Sequence, residues 1–210
     1  MTPTTSLRLV GAVMLAMTLI VFGDAAGKLL TQAGASPFFI AWSRFALAAA
    51  LLLPICQIKA GEAKALLDWR LWLRALLIVC AICAILTALQ TEPIANVFGG
   101  FFIGPIVAYF LSAFLLGERT SSARTALLAL SFLGVLLVVK PGFRMTTGML
   151  FAVLAGCLHG GYLVATRWLA PGHRPRFLLL SQLLIGGVVL LPPSLGEGWP
   201  SLDIAGYGLV

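Results

Sequence analysis

Seven apolar runs recur along the chain, at residues 8–30, 37–58, 71–90, 95–117, 123–140, 147–169 and 176–192, each closed by a short polar break. Runs of this length match the hydrocarbon thickness of a bilayer, about 30 Å, which takes about 20 helical residues to cross. Inside lipid every backbone N–H and C=O must be bonded within the protein, so each run is expected to be a helix. A transmembrane barrel would alternate apolar and polar positions, whereas a run such as Leu127 to Val139 is apolar on every side. With 60% hydrophobic and 10% charged residues in 210, the chain lies far from soluble domains, which carry about 25% charge. The fold class is an all-α polytopic membrane protein with seven complete spans. Of the connections, only Lys59 to Arg70 is long, and its mix of Ala, Leu and charge reads as a short amphipathic interfacial segment.

The net charge of +7 is spread between apolar segments, with no basic stripe, so nucleic acid is not an expected partner. Counted on alternate sides of the spans, Arg8, Lys59, Lys64, Arg70, Arg74, Arg119, Arg124, Arg167, Arg174 and Arg176 fall on one side, and Lys28, Lys140 and Arg144 on the other; Arg44 lies within a span. The positive-inside rule therefore places the N-terminus in the cytoplasm. The first run is too long for a cleaved signal peptide and lacks a convincing small-residue cleavage site. Cys56, Cys80, Cys83 and Cys157 lie in or at the ends of apolar runs, and Cys80-x-x-Cys83 has no second ligand pair, so packing is expected rather than metal or redox chemistry.

An internal repeat emerges at an offset of 138 residues: Pro37, Phe39, Ser43 and Pro54 align with Pro175, Phe177, Ser181 and Pro192. Spans 1 and 6 add weaker support, each with a Gly-x11-Gly spacing, Gly11 and Gly23 in one and Gly148 and Gly160 in the other. A unit of five spans is odd, so a second copy enters the membrane from the opposite face, the inverted-repeat layout of secondary transporters. The expected domains are a first five-helix repeat at 1–141 and the start of a second at 145–210. A full second copy would end near residue 283, so the chain is expected to be a fragment of a ten-helix protein.

At Ala88-Leu-Gln-Thr-Glu-Pro93-Ile-Ala-Asn96, Pro105, Leu115-Leu-Gly-Glu-Arg119 and Gly134-Val-Leu-Leu-Val-Val-Lys-Pro141, the chain resembles the EamA-type transporters of the drug/metabolite transporter superfamily. The resemblance covers 8–141 well and 147–192 more loosely. It implies ten-helix carriers of two inverted five-helix repeats, mostly in prokaryotic inner membranes, moving amino acids, metabolites or drugs.

Ionisable and polar groups inside spans are costly and mark candidate sites. Asp24 and Arg44 share a depth about 10 Å below the same face, so a cross-span contact is expected, serving substrate or proton binding or a structural clamp. Lys28, one turn from Asp24, could partly neutralise it or snorkel to the interface. His159 lies near the midplane of span 6 beside Tyr162, as a proton relay or a backbone-bonded histidine. Tyr109 is read as central in span 4, as a polar contact or aromatic packing. Gln182 is the repeat image of Arg44. Glu92 is expected at the surface and solvated, and Glu118 and Arg119 as an interfacial cap. Gly23-x3-Gly27, Gly100-x3-Gly104 and Gly156-x3-Gly160 permit close helix approach, and Pro105 should interrupt its helix.

The function expected is a secondary carrier of a small solute by alternating access. No nucleotide-binding Gly-x4-Gly-Lys-Ser/Thr motif is present, which leaves a proton or solute gradient as the drive. The expected partners are the lipid bilayer, a small-molecule solute, protons and a second copy in a homodimer; no cofactor or metal is expected. The rival readings are a seven-helix receptor, a channel, and an intramembrane enzyme, the last disfavoured because His159 is the sole histidine in a span.

Overall fold

The computed structural model describes residues 3–56, 58, 60–139 and 146–196. In chain order these form α1 (Pro3–Gln32), α2 (Pro37–Cys56), α3 (Ala60–Ala65), α4 (Trp69–Thr91), α5 (Ile94–Phe101), α6 (Ile103–Leu116), α7 (Ser122–Val139), α8 (Thr147–Leu169), a 3₁₀ turn at Ala170–Gly172 and α9 (Pro175–Gly196). Among the described residues six spans are long and apolar enough to cross a membrane, with α5 and α6 together forming one of them, and α7 is a shorter apolar helix. The protein is therefore an all-helical polytopic membrane protein. Lys140 and Arg144, two of the three cations counted on the sparse side, lie outside the described residues.

Local signals fix where helices begin. Asp68 caps α4 by accepting from the Arg70 N–H, and Thr146 caps α8 by accepting from the Met149 N–H, each satisfying a first-turn donor that the helix cannot. The expected interruption at Pro105 separates α5 from α6 at Phe102. Proline has no N–H to offer the Phe101 carbonyl four residues back. That freed carbonyl faces Gly156 of α8, where an added Cβ would lie 2.6 Å from the Phe101 oxygen. A Cβ on Gly104 would likewise meet the Gly156 oxygen at 2.8 Å, and one on Gly160 the Gly104 oxygen at 2.7 Å. Two of the three small-residue spacings thus meet each other and let α5–α6 and α8 touch backbone to backbone.

Helix α8 is the axis of the bundle, packed along α4, α5 and α6, while α2 and α9 pack closely on each other and α9 also on α4. The dry core gathers Leu86, Ala88 and Leu89 of α4 with Ala152 and Ala155 of α8, and Phe45 of α2 with Leu183 and Leu190 of α9. Helix α1 is mostly uncovered: Val10 to Phe22 are exposed and, apart from Thr18, which bonds the Met14 carbonyl, apolar, a surface suited to lipid.

Cross-links fix the direction of each helix. Glu92, after α4, bonds Lys28 near the end of α1 and Thr146 before α8, so these share one end of the bundle with the α1–α2 turn. Glu62 of α3 pairs with Arg174 before α9, and Glu118 after α6 with Arg167 near the end of α8, which sets the opposite end. Hence α1, α4, α7 and α9 run one way and α2, α5–α6 and α8 the other. Helix α8 is antiparallel to α1, and α9 to α2.

Candidate functional site

Buried polar groups form three layers along the bundle. Nearest the α1–α2 turn, the Glu92 carboxylate accepts from Thr146 Oγ1 and, at 3.4 Å, from Asn96 Nδ2, while the Glu92 carbonyl accepts from Lys28 Nζ at 2.6 Å. This corrects the expected solvated Glu92: the residue is buried, because the almost loop-free α4–α5 turn folds it under the start of α8. Lys28 caps that turn, and its ammonium lies on a carbonyl rather than on Asp24.

The second layer is the expected contact between α1 and α2. Arg44 Nη1 donates to Asp24 Oδ1 at 2.9 Å, and Nη2 donates to the Gly23 carbonyl. Asp24 is buried, and its side chain is 12% exposed against 30% for Arg44, so the carboxylate is the more dependent partner. The guanidinium lies where a Gly27 Cβ would come within 2.6 Å of Nη2. The Gly23-x3-Gly27 spacing therefore makes room for an arginine rather than for a helix backbone.

The third layer joins α4, α8 and α9. Arg74 is buried at 3% exposure; its Nε donates to Thr166 Oγ1 at 2.8 Å, Nη1 to the Leu178 carbonyl at 2.8 Å and Nη2 to Tyr162 Oη at 3.2 Å. Its Cζ also lies 5.0 Å from the Tyr162 ring centre, within cation–π range. Tyr162 Oη in turn donates to Gln182 Oε1 at 2.8 Å, and Gln182 is buried. His159, half-buried, stands between Phe101 and Tyr162 with ring centres 5.1 and 5.7 Å away. Its nitrogens have no hydrogen-bond partner among the described residues. The imidazole sits 12 residues into α8, about 18 Å from its start and so near the middle of that helix.

Of the five candidates, His159 and Gln182 are brought together through Tyr162, and Asp24 and Arg44 are brought together in a separate layer. A Gly27 Cβ would also lie 2.9 Å from Leu86 Cδ2, so Arg44 sits near the Leu86 level of α4, about 18 Å along that helix from Arg74. Tyr109 joins neither group: its hydroxyl meets Thr125 Oγ1 at 2.8 Å and accepts from the Ser121 N–H at 3.3 Å, tying α6 to the start of α7. Arg74 is the buried polar residue that charge counting hid among the cations of one face. Its place inside the apolar run 71–90, beyond the interfacial Arg70, was the available signal.

The two side-chain pairs share a register. Asp24 and Tyr162 are 138 residues apart, and so are Arg44 and Gln182. Arg44 and Gln182 each lie seven residues after the proline that opens their helix, about 10 Å deep, but from opposite ends of the bundle. Asp24 and Tyr162 lie about 12 and 10 Å from the ends of α1 and α8. Among the described residues no group of three His, Cys, Asp or Glu could hold a metal ion.

No curated protein and no solved structure matches the chain. The sequence model described as the EamA-like transporter family matches residues 7–140, from the start of α1 to beyond α7. The six apolar spans and that match together identify the chain: it belongs to the EamA-like transporter family of the drug/metabolite transporter superfamily.

Proposed function

We propose that this chain works as a secondary carrier of a small polar or amphipathic solute, opening alternately to the two membrane faces. The reading rests on one observation: two cross-helix pairs, Asp24–Arg44 and Tyr162–Gln182, stand at one repeat register and at matching depths from opposite ends. Helices related by an inverted repeat change places when a carrier switches its open side. Each pair ties one hairpin near one mouth, so loosening one while the other holds gives access from a single face. His159, near the middle of α8 and with nitrogens that have no partner among the described residues, is the group we assign to meet a solute or a proton between them.

The concentration of cations at the end holding α3 and the α6–α7 turn makes that end cytoplasmic, with the N-terminus on the same side of an inner membrane. A cysteine introduced at Ser36 should be labelled from outside intact cells and one at Lys64 protected, once Cys56, Cys80, Cys83 and Cys157 are replaced. The reverse pattern refutes the orientation.

The decisive experiment is counterflow in proteoliposomes with a panel of amino acids, nucleobases and organic cations. A carrier shows saturable uptake that unlabelled solute on the far side accelerates. Linear flux without acceleration would mean a channel.

A further inference from the structure

Between α6, α7 and α8, at the end that holds the α6–α7 turn, lies an open groove of about 500 Å³. Its rim carries Arg119, Arg124 and Arg167, with Glu118 as the one acidic group. Glu118 is paired with Arg167 at 2.9 Å, which leaves Arg119 and Arg124 with no ion pair among the described residues. Both are exposed. Below the rim the wall changes character: Pro105 and Leu163 on one side and Leu127, Leu128 and Ser131 on the other carry the groove more than two turns down α7. Two independent features place this rim at headgroup level. Phe114 and Leu127, at 85% and 63% exposure, point their apolar surface outward just inside the rim, and Trp69 and Trp168 form an aromatic pair at the same end.

We propose that this groove binds one anionic phospholipid, with Arg119 and Arg124 on the headgroup phosphate and an acyl chain along Leu127 and Leu128. A soluble anion would satisfy the two guanidiniums but leave the apolar part of the groove unfilled, whereas a lipid fills both parts. Guanidinium forks suit phosphate oxygens, and basic pockets between spans at the cytoplasmic face are the expected seat for such headgroups.

The test uses the purified chain in detergent, titrated with phosphatidylglycerol or phosphatidylcholine and read by native mass spectrometry. The wild type should retain one phosphatidylglycerol in preference to phosphatidylcholine. Each arginine near an anionic headgroup contributes about fivefold, so Arg119→Gln with Arg124→Gln should weaken retention about 25-fold. Lys64→Gln with Arg176→Gln removes the same charge at the same end but away from the groove and should weaken it less than about threefold. Leu128→Trp fills the groove with its charges intact and should also expel the lipid. Equal retention of both lipids, equal loss in the two charge variants, or displacement of the lipid by millimolar inorganic phosphate would each overturn the proposal.

Discussion

The α1–α2 hairpin and the α8–α9 hairpin hold a side-chain bond at one register, but they make it from opposite chemistry. In the first, a carboxylate meets a guanidinium, and Gly23 and Gly27 clear the space for it. In the second, a phenol meets an amide, and the nearby cation, Arg74, arrives from α4. The surroundings differ in the same direction. Helix α1 leaves most of its length uncovered, whereas α8 is enclosed by α4, α5 and α6. A hairpin with little packing relies on an ion pair of its own, which is strong where water is scarce; a hairpin packed against several helices can set its register with a neutral pair and take its cation from α4.

That contrast is most easily broken at Arg44. Arg44→Gln leaves the buried Asp24 without its cation, and removing one partner of a buried pair costs about 3 kcal/mol. The purified variant should unfold at a clearly lower temperature than wild type, and Asp24→Asn combined with Arg44→Gln should recover most of the loss because no lone charge remains. If the pair is only a clamp, flux returns with stability in the double variant. If it also takes part in transport, stability returns and flux does not. Normal stability and flux in Arg44→Gln would refute both.

Much of this architecture is legible before any coordinates. Span limits follow from hydrocarbon length, Pro105 marks the α5–α6 break, and the depth of Asp24 and Arg44 anticipates their bond. The glycine spacings indicate close approach without saying to what, and only the structure separates the two that meet backbone from the one that houses Arg44. Glu92 and Arg74 resisted reading for a common reason. Sequence depth measures distance along one helix, while burial depends on what a neighbouring helix lays over it: the start of α8 covers Glu92, and α8 and α9 wrap Arg74. The Asp24–Tyr162 correspondence was hidden because the two residue types share no chemistry.

A middle-sized effect is expected at Gly27. The residue 138 positions later, Ala165, already carries a methyl group, but at Gly27 a Cβ would press on Arg44 Nη2 and on Leu86. Gly27→Ala should therefore cost about 1.5 kcal/mol, as overpacking commonly does. The loss should shrink when Arg44 is already Gln, because the shorter side chain vacates the space. Additive losses in thermal unfolding would show that Gly27 acts independently of the ion pair.

The smallest stability change should come from Tyr162→Phe, and this is where stability and transport separate most cleanly. The substitution keeps the ring against His159 and removes one hydroxyl that donates to Gln182 and accepts from Arg74. Interhelical side-chain hydrogen bonds in membranes are worth about 0.6 kcal/mol each, so two give about 1 kcal/mol, well below the Arg44 loss. Arg74 keeps Thr166 and the Leu178 carbonyl, so no cation is stranded. If Tyr162–Gln182 merely sets the register, counterflow should persist at a rate close to wild type. If it holds one mouth closed, the variant should leak from that side, seen as faster labelling of a cysteine at His159 while unfolding temperature barely moves. A Tyr162→Phe protein as unstable as Arg44→Gln would mean that both hairpins depend equally on their side-chain bonds, and the division between a charged hairpin and a packed one would fall.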